Sequence, residues 1–205
     1  MIDIREKFGI VDIKKTCNES TSKIYGFIMY TRAHSYVAKV LRDEDFWGEL
    51  DEISGKNWPI FAIRPLFQGH YTYPQSSGRF ISFMQSIWNE PNANKEFLDF
   101  FSLDDSKDLP CFIAFKFNDD DTIEQVIYRL SNESQEEAFN SMREIISLVT
   151  KTESKILPEY KNTDAVYENV KADIESYVLR KDLMKGVEKV LTLKNTFQSL
   201  FETKN

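Results

Sequence analysis

The chain has 205 residues, 41% hydrophobic and 29% charged, which suits one folded domain with an extension and excludes global disorder. Its net charge of −7 and pI near 5.0 argue against a general affinity for nucleic acid or anionic membranes, since both need basic surface. The two cysteines match neither a disulfide framework nor a zinc site. No stretch approaches the about 20 apolar residues of a membrane span, and residues 1–15 lack a signal-peptide pattern. We expect a soluble, cytoplasmic protein.

The first elements follow from short apolar runs. Residues 1–22 carry weak signals, compatible with a short helix or a strand. Residues 24–30 are continuously apolar and aromatic, which predicts a strand covered on both faces. Residues 35–41 are β-branched and are compatible either with a partner strand or with the start of a helix.

A β–α–β unit is predicted over residues 24–63. Asp43 and its acidic neighbours cap a helix whose apolar residues are spaced by three and four, and Gly55 ends that helix. Residues 58–63 then form a short buried strand.

The middle of the chain combines a predicted loop with two predicted helices. Residues 66–79 are rich in Gly, Pro, Ser and Tyr and are the most loop-like part of the sequence, with an aromatic cluster at 67–73. The apolar spacing of residues 80–88 predicts a helix, and residues 95–101 predict one or two further helical turns.

Residues 109–131 are predicted to be a hairpin. An apolar strand follows Leu109 and Pro110, Asn118 to Asp121 form the turn, and a second strand ends near Ser131. An amphipathic helix comes next, capped by polar residues at 132–134.

The C-terminal region predicts two apolar stripes at helical spacing. The first stripe comprises Val166, Val170, Ile174, Tyr177 and Val178, and the second comprises Leu183, Val187, Val190, Leu191, Phe197, Leu200 and Phe201. The two stripes fit either two helices or one long one. They pack on the domain or pair with another chain.

The order of these elements resembles the thioredoxin fold. Leu109-Pro110, the apolar strand and Phe115-Lys116 are similar to the family's cis-proline strand, and residues 126–131 with the acidic helix resemble its last strand and helix. The resemblance covers roughly residues 24–150. It implies an α/β fold with a central mixed sheet flanked by helices, and a cis peptide bond before Pro110.

The family's redox chemistry is not expected here. The resemblance places its dithiol at the start of the first long helix, and residues 38–47, where we expect that start, contain no cysteine. Without two exchangeable thiols no disulfide can be transferred. We predict a non-redox member, divided into an N-terminal segment (1–22), a thioredoxin-like domain (23–155) and a C-terminal helical extension (156–205).

Candidate catalytic residues are few. Cys111 has apolar neighbours and is predicted to be an inert core residue, whereas Cys17 has polar neighbours and is predicted to be an exposed thiol. An enzyme would need Arg32, His34, Arg64 and His70 to converge in one cleft. Most histidines in loops are merely solvated, so no residue is assigned a catalytic role.

Binding sites for metals and nucleotides are not predicted either. The acidic clusters are explained as a helix N-terminus and as turns, and none has the pattern of a calcium loop. The few glycines are dispersed, which argues against a phosphate-binding loop. We therefore assign no catalytic, cofactor or metal residues and expect a non-catalytic protein-interaction or scaffold protein. It would self-associate through its C-terminal helices or bind another protein. The alternative is an enzyme using the cleft named above.

Overall fold

The structure, a computed structural model, describes residues 1–4, 9–55, 58–64, 66–72, 84–89, 94–104, 107–156 and 162–202. For residues 4, 66–72, 84–89, 94 and 187–202 only the backbone is described. The strands are β1 (Ile2–Ile4), β2 (Tyr25–Met29), β3 (Ile60–Ile63), β4 (Leu66–Thr72), β5 (Met84–Asn89), β6 (Cys111–Phe117) and β7 (Ile123–Arg129). The helices are α1 (Ile10–Glu19), α2 (Ser35–Arg42), α3 (Glu44–Ser54), α4 (Asn94–Phe100), α5 (Gln135–Lys155) and α6 (Thr163–Glu202).

A five-stranded mixed sheet forms the centre of the molecule, in the order β1-β3-β2-β6-β7. Strands β1, β3 and β2 are parallel, whereas β6 is antiparallel to both β2 and β7. Every residue of β2 and β3 is buried, which confirms the prediction of strands covered on both faces. The predicted mixed α/β class is therefore correct.

The β6–β7 hairpin confirms the prediction for residues 109–131. Strand β6 pairs with β7 from Cys111 opposite Arg129 to Phe117 opposite Ile123, and the turn closes with a hydrogen bond from Asn118 N to Thr122 O of 2.9 Å. The Leu109–Pro110 peptide bond is cis, as expected.

The two faces of the sheet are covered by different helices. On one face, Phe27 packs against Phe97 and Phe101 at α4, with ring centroids 5.0 and 5.3 Å apart. On the other face, the ring of Phe112 contacts Trp58, whose Nε1 donates to Thr150 of α5 at 3.1 Å. Helices α2, α3 and α6 also contact α5, so this face carries the larger helical layer.

The N-terminal residues are part of the same core. Strand β1 is the edge partner of β3, and α1 buries Ile13 and Cys17. The prediction that Cys17 is exposed is wrong, since its side chain is only 2% exposed. Ile13 and Cys17 are four residues apart and share the core-facing side of α1, whereas the polar neighbours that suggested exposure lie on other sides of the helix.

The middle of the chain differs from the prediction. Residues 66–72 are strand β4 rather than loop, and residues 84–89 are strand β5 rather than helix, paired antiparallel from Leu66 opposite Asn89 to Thr72 opposite Met84. Short apolar runs fit both the helical and the strand period, and non-local pairing decides between them. Residues 73–79 of the predicted loop and 80–83 of the predicted helix lie outside the described residues.

The C-terminal extension is one helix. Helix α6 runs from Thr163 to Glu202, which at about 1.5 Å per residue gives a length of about 60 Å. Its first part buries Val166, Tyr167, Val170 and Ile174 against the domain. Within the described part of the chain, no helix is both long and apolar enough to cross a membrane.

Candidate functional site

The N-terminus of α2 lies beside the carboxyl end of β2, an edge of the sheet where α/β proteins often bind ligands. The N–H groups of Tyr36 and Val37 both donate to Asn132 Oδ1, at 3.1 and 3.3 Å. Asn132 lies in the loop between β7 and α5. Because a side chain of the chain itself already occupies this helix end, the end is capped.

His34 is held by the turn that precedes α2. Its Nδ1 accepts a hydrogen bond from Thr31 N at 3.0 Å and lies 3.1 Å from Thr31 Oγ1. Burial lowers the pKa of His34, so the imidazole is neutral near pH 7. Because Nδ1 already accepts the hydrogen bond from Thr31 N, His34 fits a role in holding the shape of this turn.

Arg64 lies at the opposite end of α2. Its Nε donates to Leu41 O at 2.9 Å, its Nη2 is 2.7 Å from Glu44 Oε1, and its guanidinium is 4.7 Å from the centre of the Trp47 ring. These contacts join the end of α2 to the start of α3, the helix capped by Asp43 as predicted.

The four residues of the predicted enzyme cleft are therefore not all brought together. Helix α2 has eight residues, so its two ends, with His34 at one and the guanidinium of Arg64 at the other, are about 12 Å apart. Arg32 is exposed, and the side chain of His70 lies outside the described residues. Arg64 has a structural role, because its contacts join the end of α2 to the start of α3.

Both cysteines are buried and poorly suited to nucleophilic chemistry. Burial raises the pKa of each thiol to about 12. The thiolate, which is the reactive form, is therefore scarce at neutral pH. The prediction that Cys111 is a core residue is confirmed, since its side chain is fully buried.

Helix α6 is attached to the sheet by a buried lysine. Lys116 of β6 is 5% exposed, and its Nζ lies 2.5 Å from Asp164 Oδ1 and 3.2 Å from Glu124 Oε1. Nζ also lies 5.4 Å from the centre of the Tyr167 ring. The hydrogen bond to Asp164 raises the pKa of Lys116, so this side chain stays charged.

A second polar cluster anchors α6 about four to five turns further along. Lys181 Nζ donates to Tyr128 Oη at 3.0 Å and to Glu144 Oε2 at 3.3 Å, and Tyr177 Oη donates to the same Glu144 oxygen at 2.6 Å. Burial acts against the charge of Lys181, but the hydrogen bond to Tyr128 and the Glu144 carboxylate raise its pKa overall.

An open groove lies beside this second anchor, with a volume of about 470 Å³. The β7–α5 loop forms one wall, including Asn132 and Glu133, and α6 forms the other, including Lys181 and Lys185. Basic and acidic side chains are mixed in it, so its charge selects no single class of ligand.

Large apolar side chains of α6 are exposed where the helix leaves the domain. Leu179, Leu183 and Met184 are 62%, 61% and 65% exposed. Large apolar side chains that are exposed together on one element mark a contact surface more often than isolated ones do. We call these three residues, with the helical residues that follow them to Glu202, the distal α6 surface.

Metal binding has no support among the described residues, where no group of three or more His, Cys, Asp or Glu side chains is arranged to hold an ion.

Sequence reasoning missed the roles of Lys116, Lys181 and Asn132. A lysine in an otherwise apolar strand was the available signal for Lys116.

Comparisons with protein-family models, with curated proteins and with solved structures find no match. The functional interpretation therefore depends on the geometry of the chain itself.

Proposed function

We propose that this protein is a non-catalytic protein-interaction module built on a redox-inactive thioredoxin-like domain, with the distal α6 surface as its contact surface. The observation that carries the proposal is the exposure of Leu179, Leu183 and Met184 on a helix whose earlier residues are firmly docked. Apolar area of this kind gains free energy when a partner covers it.

The thioredoxin-like part of the proposal is supported by the pattern of the sheet. Three neighbouring parallel strands followed by an antiparallel pair agree with the mixed sheet that the resemblance implies. The helix after β2 begins at Ser35, earlier than the expected residues 38–47. The residues before it, Thr31 to His34, contain no cysteine either, which favours a member without the exchangeable dithiol.

A test uses crosslinking in the cells that naturally express the protein, followed by mass spectrometry. The wild type should capture a defined protein, another copy of this chain included, and Leu183→Glu should not capture it. Val11→Glu is the matched control, because Val11 is 79% exposed on α1, away from α6. If Leu183→Glu captures the same protein as the wild type, the distal α6 surface is not the contact surface.

A further inference from the structure

We propose that the occupant of the distal α6 surface is a second copy of this chain, paired antiparallel along α6 with the twofold axis near residue 192. This inference rests on the proposed function, which it deepens by naming the partner and its orientation.

The first argument is that α6 has apolar surfaces on opposite sides. Val170 and Ile174 are buried against the domain, whereas Leu179 and Leu183 are exposed. Each exposed leucine follows one of the buried residues by nine positions, or about two and a half helical turns, and so lies on the opposite side of the helix. The same domain that covers the first side cannot also cover the second along a continuous helix.

The second argument is the spacing of the apolar positions that follow. From Leu183 the sequence continues at positions 187, 190, 194, 197 and 201, alternating steps of four and three residues. This is the spacing of a coiled-coil seam. Position 194 is a lysine and the others are apolar.

The lysine decides the orientation. In a parallel pair, position 194 of one helix would lie level with position 194 of the other, so two lysine positions would face each other in the seam. In an antiparallel pair centred on residue 192, position 194 lies level with 190, 187 with 197, and 183 with 201. Each lysine position then faces an apolar one, and like charges are kept apart.

The net charges of the two parts of the chain favour the same orientation. Residues 180–205 hold six basic and three acidic residues out of 26 and 33 in the chain, so residues 1–179 carry a net charge of −10. Antiparallel pairing places the two acidic domains about 30 Å apart along the helices. Parallel pairing would place them side by side, where they repel each other.

A short seam suffices because the helix is already started. Forming the first turn is the unfavourable step in building a helix, and the docked part of α6 supplies it. Lys116 with Asp164, and Lys181 with Glu144, hold that part on the domain.

Light scattering on the purified full-length chain tests the pairing. We expect twice the monomer mass of 24.0 kDa for the wild type and for Val11→Glu, and a monomer for Leu183→Glu or Phe197→Glu with unchanged circular dichroism. A monomeric wild type overturns the proposal. If the crosslinking test still captures a different protein, the proposed function stands without it.

Disulfide trapping tests the orientation. Val187→Cys and Phe197→Cys chains carrying different tags should form a mixed disulfide when combined, while each variant alone should not. The native cysteines are buried and do not compete. Efficient self-crosslinking of each variant alone would indicate a parallel pair and overturn the antiparallel arrangement.

Discussion

Gly26 lies in the middle of β2, where the core leaves no room for a side chain. A Cβ atom at this position would lie 2.7 Å from Trp58 Cζ3 and 3.1 Å from Phe112 Cε2. Both neighbours are buried aromatic rings that cannot move without disturbing the packing around them. Glycine is therefore required here by close approach rather than by backbone conformation.

We expect Gly26→Ala to lower the free energy of unfolding by about 1–3 kcal/mol, because the methyl group overpacks the core. Gly48→Ala is the matched control in α3, where an added Cβ meets nothing within 4 Å. That change should raise the stability by about 0.5–1 kcal/mol, because alanine favours a helix. Urea unfolding of the two variants and the wild type measures both effects, and equal midpoints for all three would contradict the packing described here.

The buried cysteines should make the free energy of unfolding fall at alkaline pH. Each thiol has a pKa of about 12 in the folded chain against 9.0 in the unfolded chain. Above pH 9 the unfolded chain loses these protons while the folded chain keeps them, so the free energy of unfolding falls as the pH rises.

Urea unfolding at pH 7.5 and 10 should show this fall. The double variant Cys17→Ala/Cys111→Ala should be less stable at pH 7.5, because it has cavities, but should lose less on going to pH 10. A fall of the same size in the variant would assign the effect to other groups, such as Tyr25, whose pKa burial also raises to about 12.

At the scale of elements, the docking of α6 combines apolar and charged contacts. Four apolar side chains bury one side of the helix, and Lys116 and Lys181 form ion pairs near the two ends of the docked part. The ion pair of Lys116 should contribute more to stability than the ion pairs on the surface. The side chain of Lys116 is almost inaccessible to solvent, although Asp164 is 81% exposed.

We expect Lys116→Met to lower the free energy of unfolding by about 1.5–3 kcal/mol, the range for hydrogen bonds to charged groups. Amide hydrogen exchange should become faster in residues 163–178, which lose their first anchor. Lys107→Met is the control, since Lys107 pairs with Asp104 on the surface and is 78% exposed. Unchanged exchange in α6 after Lys116→Met would mean that the apolar contacts alone hold the helix.

The sequence predicted those elements whose local pattern and tertiary environment agree. The apolar run at 24–30 and the hairpin with its Asn118 turn belong to this group, and both became strands of the central sheet. Strands β4 and β5 could not be predicted, since their pairing joins segments that carry no strand pattern strong enough alone.

The candidate site was less predictable than the fold. The second apolar stripe was visible in the sequence. Its position on a different side of the helix from the docked stripe follows only if both stripes belong to one continuous helix, and the sequence fitted either one helix or two. The capping of α2 by Asn132 joins residues almost 100 positions apart, and no local pattern reports such a contact.

At the scale of the whole molecule, α6 divides into a part that completes the core and a part that extends from it. A chain ending at Lys185 retains Val166, Tyr167, Val170 and Ile174, whereas a chain ending at Lys155 loses all four. The two truncations therefore separate folding from association.

We expect the chain ending at Lys185 to keep the full-length stability of the monomer, and the chain ending at Lys155 to lose more than about 3 kcal/mol, because burying each large apolar side chain contributes about 1.5–3 kcal/mol. Urea unfolding measures the stabilities, and light scattering measures the mass. If the chain ending at Lys155 were as stable as the full length, α6 would be an independent element rather than part of the core.

Because the docked and the extended parts of α6 share one backbone, a partner at the far end also acts on the domain. Any molecule that binds the folded helix and not the unfolded chain stabilises the whole by linkage. It should slow the local opening events that release residues 163–181 from the sheet. Conversely, a change such as Lys116→Met, far from the distal surface, should weaken association by loosening the same helix.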